Sequence, residues 1–318
     1  MKHKVYVDGQ AGTTGLQIYD RLLTRDDIEI LRIPEEKRKD AGERRRYLNE
    51  ADIVFLCLPD DAAREAVALI DNDRTRVIDA STAHRVLDGW TYGIPEFGDA
   101  QYAALRASKR VCVPGCYATG FIMLLHPLVK GGIVPADYPV SCHAVSGYSG
   151  GGNAMIREFE TNSDKGRTPA LYALGLNHKH LPEMKKYSGL RRAPLFTPSI
   201  ANYAQGMTVA VPIYLRMLAR RMTAESVAAR LAEFYAGRPF VKVHTHTEAM
   251  DALEAGRLYA DKCVGTNSIE LNVFGNEDAI LLVSRLDNLG KGASGAAVQN
   301  MNIMLGLDEA TGLTRIQG

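Results

Sequence analysis

A cysteine stands where a short apolar strand is expected to turn into an apolar helix. Cys116 follows a predicted strand at residues 110–113 and a glycine at 115. The first N–H groups of a helix lack internal acceptors and lie at the positive end of its dipole, so they would stabilise a thiolate there and lower its pKa. We therefore predict that Cys116 is a nucleophile. The alternative is a buried small residue, which is the commoner fate of a cysteine.

A histidine and a glutamate form a second group that could do chemistry. His180 directly precedes Leu181-Pro182, and because proline suits the first turn of a helix, we expect His180 at a helix start with its imidazole available. Such a histidine can move a proton to or from a substrate oxygen, and Glu183 could orient it. The alternative for His180 is a surface or helix-capping role. No paired ligand spacing of the zinc type occurs, so we assign no metal.

The beginning of the chain carries a pattern that would bind a phosphate of a dinucleotide. A predicted strand at residues 4–7 leads into three spaced glycines and a helical pattern over 16–23. Glycines at such a turn let the backbone approach a phosphate at the helix N-terminus. The spacing departs from the common G-x-G-x-x-G, and an ordinary tight turn is an equal interpretation of the motif alone. The cofactor residues that we assign to this turn are Gly9, Ala11, Gly12, Thr13, Thr14 and Gly15.

Strand-like and helical segments alternate through the first part of the chain. Strands are predicted at 28–33, 52–58, 76–80 and 110–113. This alternation predicts a parallel, doubly wound sheet, in which ligands bind at the carboxyl ends of the strands. The glycine turn, Pro59, Ser81 and Cys116 would lie at that edge, which would put the nucleophile beside the nucleotide.

The segment after the second strand bears on the choice of cofactor. An acidic residue about 20 positions past the glycines favours NAD, whereas a nearby arginine favours NADP. Both kinds are present, because Arg32 is followed by two glutamates and then by a basic run at 37–39. We favour NADP, with Arg32, Arg38 or Lys39 at the 2′-phosphate, while a solvated charge run is an equal interpretation of each.

After Cys116 the strand patterns become longer and alternate. Strands are predicted at 203–215, 240–246, 268–274 and 279–286, with a turn between the last two and a helix at about 223–235. This predicts a mixed, largely antiparallel sheet. The fold class is thus α/β, with a Rossmann-type dinucleotide-binding domain at 1–115 with 292–318 and an α+β substrate or dimerisation domain at 116–291.

Composition and charge narrow the class of protein. The chain has 318 residues and a net charge of +1, which provides no field to attract nucleic acid or an anionic membrane. No apolar run approaches the roughly 20 residues that span a bilayer, and no signal-peptide core follows the first residues. The 5 cysteines are odd in number and scattered, which suits a reducing compartment. We predict a cytoplasmic enzyme with small-molecule partners.

A series of short motifs runs nearly the whole length of the chain. After the glycine turn come DASTAHR at 79–85, YGIPE at 92–96, PGCYAT at 114–119, SGYSG at 146–150, HKHLPE at 178–183 and DNLGKGA at 287–293. Together these resemble the N-acetyl-gamma-glutamyl-phosphate reductase family of arginine biosynthesis, in its shorter bacterial branch. The resemblance implies a fold shared with aspartate-semialdehyde dehydrogenase, NADP(H) as the cofactor, and a homo-oligomer that is a tetramer or a dimer.

The resemblance also implies a reaction and the residues that perform it. N-acetyl-L-glutamyl 5-phosphate would be reduced to the 5-semialdehyde with release of phosphate, through a thioester on Cys116 and with His180 and Glu183 as catalytic partners. Further contacts to the cofactor are expected from Pro59, Ser81, Ser146, Gly147, Asn288 and Lys291. Contacts to the substrate are expected from Arg85, Ser149 and Arg157.

Two other functions stay open at the level of sequence. An aspartate-semialdehyde dehydrogenase would use the same thiol, histidine and cofactor on a shorter, unacetylated substrate. A noncatalytic NADP-binding regulatory protein would keep only the dinucleotide fold, because a fold alone does not establish a function. The presence of Cys116, His180 and Glu183 together argues against this last interpretation.

Overall fold

The computed structural model describes residues 2–161 and 168–316. The chain divides into two compact units: unit 1 comprises Met1–Pro114 and Ala293–Leu313, and unit 2 comprises Gly115–Gly292 and Thr314–Gly318. Within the described ranges, no helix has both the length and the apolar character needed to cross a membrane.

The helices and strands follow in chain order. The strands are β1 (His3–Asp8), β2 (Ile28–Leu31), β3 (Ile53–Leu56), β4 (Arg76–Asp79), β5 (Thr91–Tyr92), β6 (Arg110–Cys112), β7 (Ser141–Gly147), β8 (Ala170–Leu171), β9 (Leu195–Ala201), β10 (Met207–Tyr214), β11 (Val241–Val243), β12 (Ile269–Gly275) and β13 (Ala279–Leu286). The helices are α1 (Thr13–Leu23), α2 (Ala41–Glu50), α3 (Asp60–Ala68), α4 (Asp99–Ala107), α5 (Cys116–Lys130), α6 (Gly152–Thr161), α7 (Leu181–Ser188), α8 (Ala224–Phe234), α9 (His246–Asp251) and α10 (Gly295–Leu305).

Unit 1 is built on a 6-stranded sheet in the order β2-β1-β3-β4-β6-β5, with every neighbouring pair parallel. One face packs against α1, α4 and α10, and the other against α2 and α3. Both faces of the sheet are therefore covered, and all of β3 is buried and apolar. The predicted doubly wound sheet is confirmed. Because β1 lies between β2 and β3, the order of the strands reverses there, which is where open α/β sheets bind ligands.

Unit 2 is built on a 7-stranded sheet in the order β11-β12-β13-β10-β7-β9-β8. Neighbouring strands are antiparallel except for the parallel pairs β11–β12 and β7–β9. The prediction of a mixed, largely antiparallel sheet is confirmed. Helix α5 packs closely on this sheet, because a Cβ atom at Gly120 would lie 2.7 Å from the side chain of Val209 and 2.6 Å from that of Ser284.

Three segments of unit 2 differ from the sequence prediction. The strand predicted at 203–215 begins only at Met207, as β10. The strand predicted at 240–246 is confined to β11, and α9 begins at His246 because the Thr245 side chain accepts a hydrogen bond from Glu248 N and caps the helix. The last described residues, which the sequence analysis grouped with the dinucleotide-binding domain, are bonded to unit 2. Asn267 N donates to Thr314 O at 2.8 Å, and Ile316 N donates to Ser268 Oγ at 3.1 Å.

Candidate active site

The turn between β1 and α1 requires glycine at two of its positions. Gly9 has φ +91°, and a Cβ atom there would lie 2.3 Å from Cys57 O. A Cβ atom at Gly15 would lie 2.4 Å from Gly9 O. The turn is closed by Gly12 N, which donates to Gly9 O at 3.0 Å. The backbone thus forms a tight cradle before the N-terminus of α1, where N–H groups and the helix dipole favour a phosphate.

We expect Gly9→Ala to weaken dinucleotide binding by at least about 30-fold, since the added methyl group forces the cradle open at a strained φ, a distortion worth about 2 kcal/mol or more. Gly12→Ala is the matched comparison, because its Cβ atom would meet Gly9 O at 3.4 Å without a positive φ. Titration calorimetry and urea denaturation of both variants measure the effect. Equal loss of binding in the two variants would contradict this account of the turn.

A cavity of about 390 Å³ lies beside the glycine turn within unit 1. Its lining includes Gly9 and the basic side chains of Arg38, Lys39 and Arg44. Arg32 is not among the lining residues; its guanidinium lies over the ring of Tyr19, 5.5 Å from the centroid. Two of the three basic candidates from the sequence therefore border the cavity. Arg44 is a further basic side chain of the lining, and it was not predicted from the sequence.

A buried aspartate organises the carboxyl end of β4. Ser81 donates from N and from Oγ to the Asp79 carboxylate, at 2.9 and 2.7 Å. His84 Nδ1 lies 2.6 Å from Asp79 Oδ2, and the His84 ring stacks on Trp90 at 4.1 Å. Ser81 is thus held rigidly. Neither Asp79 nor His84 was predicted to be a site residue, although both lie in the DASTAHR motif.

The loops that follow β3 and β4 are tied together. Pro59 precedes Asp60, the first residue of α3, and the Asp60 carboxylate accepts from Thr82 N at 2.9 Å and from Thr82 Oγ1 at 2.5 Å. The predicted contacts at Pro59 and Ser81 therefore belong to neighbouring, mutually fixed loops of unit 1.

Arg85 makes hydrogen bonds to the backbone within unit 1. Its Nε donates to Val113 O at 2.9 Å and its Nη2 to Ala80 O at 3.1 Å, and the side chain is buried. Arg85 thereby fixes the end of the strand that leads along the chain to Cys116. These bonds give Arg85 a positioning role in addition to the substrate contact that the sequence predicts.

Cys116 is the first residue of α5, as the sequence predicts, and Gly115 is the N-cap residue. The thiol is half-buried. A Cβ atom at Gly292 would lie 2.7 Å from the Cβ atom of Cys116, so glycine lets this segment lie directly against the cysteine. The arrangement leaves a partly accessible thiol at a helix N-terminus, which is the environment of a reactive cysteine.

We expect Gly292→Ala to reduce turnover by about 100-fold, because the new methyl group must displace either Cys116 or its own segment and misplace the thiol. NADP binding and the overall fold are expected to persist. Gly175→Ala is the control, since its Cβ atom would meet only the Asn177 side chain at 3.5 Å. Steady-state kinetics and thermal unfolding of both variants measure the difference; wild-type turnover in Gly292→Ala would contradict the close-packed geometry.

Helix α7 brings the predicted glutamate to the start of α5. Glu183 is buried, and its Oε2 accepts from Gly115 N at 3.2 Å. Gly115 immediately precedes Cys116. The carboxylate of Glu183 therefore fixes the backbone that carries the thiol, a role beyond the orientation of His180 that its spacing suggests.

His180 lies just before α7, as predicted, among aromatic side chains. It is buried, with its ring 6.0 Å from that of Tyr117 and 4.6 Å from that of His178. The His178 side chain accepts from His180 N at 3.1 Å, so it fixes the backbone of its neighbour. Since Tyr117 follows Cys116 in the chain, α5 and α7 bring the three predicted catalytic residues into one region of unit 2.

Burial sets the protonation of the groups around this region. Desolvation raises the pKa of the Tyr117 hydroxyl and raises that of Tyr172 to about 12, so both stay protonated near neutral pH. The same effect raises the pKa of the Cys142 thiol and brings that of Cys263 to about 12. Neither of these two cysteines therefore competes with Cys116 as a nucleophile.

Polar contacts link the loops that follow β7 and β13. Asn288 Nδ2 donates to Ser149 Oγ at 2.9 Å, and Gly206 N donates to Asn288 Oδ1 at 2.8 Å. Ser146 Oγ donates to Gly147 O at 3.1 Å. The four predicted cofactor or substrate residues of this region are buried within unit 2: Ser146, Gly147, Ser149 and Asn288.

Asp287 is a buried anchor that the sequence analysis did not assign. Its carboxylate accepts from Gln205 Nε2 at 2.8 Å, from Gly265 N at 2.8 Å and from Leu289 N at 2.9 Å. These bonds fix the segment that reaches Gly292. The only signal in the sequence is the DNLGKGA motif.

Two further predicted residues have contrasting surroundings. Lys291 is 2 % exposed, with its ammonium 5.7 Å from the centroid of the Phe240 ring. Arg157 lies on α6 and is exposed. Lys291 is thus built into unit 2, whereas Arg157 is available at its surface.

Comparison with known proteins shows which class of protein has this fold. A family model described as "Semialdehyde dehydrogenase, NAD binding domain" matches residues 4–105, and one described as "Semialdehyde dehydrogenase, dimerisation domain" matches 116–288. The chain thus has the two-domain fold of a nicotinamide-dinucleotide-binding semialdehyde dehydrogenase. An aspartate semialdehyde dehydrogenase with NADP from Candida albicans shares this fold, with a TM-score of 0.64 and 15% identity over 96% of this chain and 99% of that one.

Sequence relatives narrow the class to one family. The chain is 47% identical to N-acetyl-gamma-glutamyl-phosphate reductase 2 of Nostoc sp., over 98% of this chain and 99% of the relative. It is 49% identical to the N-acetyl-gamma-glutamyl-phosphate reductase of Rhizobium meliloti, over 96% and 99%. The chain belongs to the N-acetyl-gamma-glutamyl-phosphate reductase family and is an oxidoreductase.

Proposed function

We propose that the chain reduces N-acetyl-L-glutamyl 5-phosphate to N-acetyl-L-glutamate 5-semialdehyde with NADPH, through a thioester on Cys116, in arginine biosynthesis. The observation that carries this proposal is the position of Cys116, half-buried at the start of α5 and with Gly292 packed against it. The names of the relatives from Nostoc sp. and Rhizobium meliloti support the choice of substrate.

The first step is acyl transfer to Cys116. Its thiolate attacks the carbonyl carbon of the acyl phosphate, a C–S bond forms, the C–O bond to phosphate breaks and inorganic phosphate leaves with the electron pair. The N–H groups in the first turn of α5 would stabilise the negative charge of the tetrahedral oxyanion, a contribution of roughly 3 kcal/mol per donor. Glu183 keeps Gly115, and hence this turn, in place.

The second step is reduction and release of the aldehyde. NADPH, when bound, supplies the hydride for the thioester carbonyl. His180 protonates the resulting oxyanion and then takes the hydroxyl proton back as the C–S bond breaks, so that Cys116 leaves as a thiolate. Burial of His180 among aromatic side chains supports this role, because it limits competing proton exchange with water.

The cofactor is NADP(H) in this proposal. The residues present fit a dinucleotide, because Gly9 and Gly15 form a cradle that a Cβ atom would fill. Arg38 and Lys39 line the adjoining cavity and supply positive charge for a 2′-phosphate. The predicted contacts from Ala11, Thr13, Thr14, Pro59, Ser81, Ser146, Gly147, Asn288 and Lys291, and the predicted alternative Arg32, remain part of the proposal.

Two cationic side chains and one hydroxyl side chain are assigned to substrate binding. Arg85, Ser149 and Arg157 are the proposed contacts, and exposure of Arg157 makes it available to a carboxylate. Ser149 is held by Asn288, so its hydroxyl has a fixed direction. The two backbone carbonyls bonded to Arg85 restrict the orientation of its guanidinium in the same way.

We further infer a homo-oligomer, a dimer or tetramer, in the cytoplasm. The dimerisation description of the model that matches 116–288 supports self-association. The registers of β9, β10 and β13 put Leu195, Tyr214 and Leu281 on one face of the unit 2 sheet, and all three are exposed. All 5 cysteines are free, in line with a reducing compartment. Sedimentation velocity measures the state of assembly.

The test is an assay in the reverse direction with N-acetylglutamate semialdehyde, phosphate and NADP, followed by absorbance of the reduced cofactor. Aspartate semialdehyde is the competing substrate. Phosphate-dependent turnover of the acetylated substrate alone supports the proposal. Preference for aspartate semialdehyde would contradict the substrate, and silence with both substrates despite NADP binding would favour a noncatalytic regulatory protein.

A further inference from the structure

A buried ion pair lies in the wall of the cavity beside the glycine turn. Asp8 is the last residue of β1 and directly precedes Gly9. Arg44 reaches it from α2, with Nη2 at 2.7 Å and Nε at 3.3 Å from Asp8 Oδ2. Both side chains are largely shielded from solvent, with 14% and 7% exposure for Arg44 and Asp8.

The pair shares its cavity with the basic side chains proposed for the 2′-phosphate. Asp8, Arg38, Lys39 and Arg44 all line it, together with Gly9. A lone carboxylate at Asp8 would oppose the field of Arg38 and Lys39 at the point where an anionic cofactor enters. Because little solvent reaches Asp8, screening of that charge by water would be weak. Arg44 cancels it.

The position of Asp8 also bears on the choice between the two dinucleotides. In dinucleotide folds a carboxylate near the adenosine ribose accepts hydrogen bonds from its hydroxyls and favours NAD over NADP. Neither Glu29 of β2 nor the two glutamates that follow it at 35 and 36 line the cavity, whereas Asp8 does. Asp8 is thus an acidic residue inside the cavity that could take this role, and its carboxylate is already bound by Arg44.

We propose that Arg44 determines specificity for NADP over NAD by binding and neutralising Asp8. Released from Arg44, the Asp8 carboxylate would repel the additional phosphate of NADP and accept hydrogen bonds from the ribose of NAD. This inference rests on the proposed use of NADP(H). Arg44 acts through Asp8 and is a positioning residue.

The experiment measures binding of NADP and NAD to the full chain by titration calorimetry. In Arg44→Gln we expect the affinity for NADP to fall at least about 30-fold, as for loss of one partner of a buried charge pair, while the affinity for NAD stays within about 3-fold or rises. The ratio of the two affinities is the readout, because a merely structural defect would weaken both dinucleotides alike. Arg45→Gln is the matched control, since this neighbour on α2 pairs with Asp71 at the surface.

A double variant separates the neutralisation of Asp8 by Arg44 from other effects of the Arg44→Gln substitution. Asp8→Asn with Arg44→Gln removes both charges and keeps two side chains that can bond to each other, so we expect most of the preference for NADP to return. It also avoids the unpaired buried carboxylate that could unfold Arg44→Gln alone.

The outcomes distinguish this inference from the function on which it rests. Suppose that the wild-type chain prefers NADP. An unchanged ratio of affinities in Arg44→Gln, or no recovery of the preference in the double variant, would then overturn the proposed role of Arg44 and leave the proposed function standing. A wild-type chain that binds neither dinucleotide overturns both the inference and the proposed function.

Discussion

Replacement of Cys116 by alanine is expected to lower reductase turnover by at least about 10⁴-fold, because no other group can form the thioester. Binding of NADP is expected to stay within about 2-fold of wild type, since the glycine turn and Asp8 lie in unit 1 and do not depend on the thiol. Steady-state kinetics in both directions and titration calorimetry measure the two effects. Intact mass of the wild-type chain mixed with the acyl phosphate alone is expected to show one acyl group per chain, which Cys116→Ala lacks.

Cys142→Ala provides the control for this result. Its thiol is buried in β7, and burial raises its pKa, so it should neither carry the acyl group nor react with iodoacetamide in the folded chain. Loss of its packing is expected to cost stability rather than turnover. An acyl group found on any cysteine other than Cys116, or full activity of Cys116→Ala, would contradict the mechanism.

Local sequence patterns predicted those elements of the fold that are determined by residues close together in the chain. The apolar run before Cys116 and the glycine at 115 predicted a strand and a helix start, and α5 begins at Cys116. The turn between 275 and 278 predicted the hairpin of β12 and β13, which pair antiparallel. Proline at 182 predicted the start of α7. Each depends on turn chemistry or periodicity within a few residues.

Helix α2 shows where such patterns fail. Its sequence, AGERRRYLNE, buries Leu48 alone among its residues, so no apolar stripe marks it as a helix. The N-cap at Asp40, whose side chain accepts from Glu43 N, is the local signal that could have identified it. Because α2 was not predicted, the position of Arg44 beside Asp8 could not be predicted either. The basic residues of α2 resembled the solvated charge run at 37–39.

Contacts between distant parts of the chain also could not be predicted from the sequence. Glu183 was predicted to orient His180 from three residues away, and the fold shows that its carboxylate also accepts from Gly115, 68 residues earlier. Gly292 belonged to a recognised motif, yet only the fold shows that Cys116 leaves no room for a side chain there. Motifs therefore predicted the residues of the candidate site, while their tasks depend on which elements the fold brings together.

Replacement of His180 by glutamine is expected to lower turnover by about 10² to 10⁴-fold, the usual contribution of a general acid–base. Acyl transfer to Cys116 requires departure of phosphate but no proton from His180, whereas reduction and aldehyde release do. Mixing His180→Gln with the acyl phosphate and NADPH should therefore release about one phosphate per chain quickly and then proceed slowly. The acyl group on Cys116 should accumulate and be visible by intact mass, while the affinity for NADP stays unchanged.

His143→Gln is the control, because His143 is exposed on β7 and its Nδ1 lies 2.6 Å from Thr197 Oγ1, in a surface pair of the same unit. It should retain wild-type turnover. If the initial release of phosphate is also lost in His180→Gln, His180 must act earlier, by deprotonating the Cys116 thiol. Wild-type turnover of His180→Gln would remove this residue from proton transfer and leave the buried imidazole with a packing role among Tyr117 and His178.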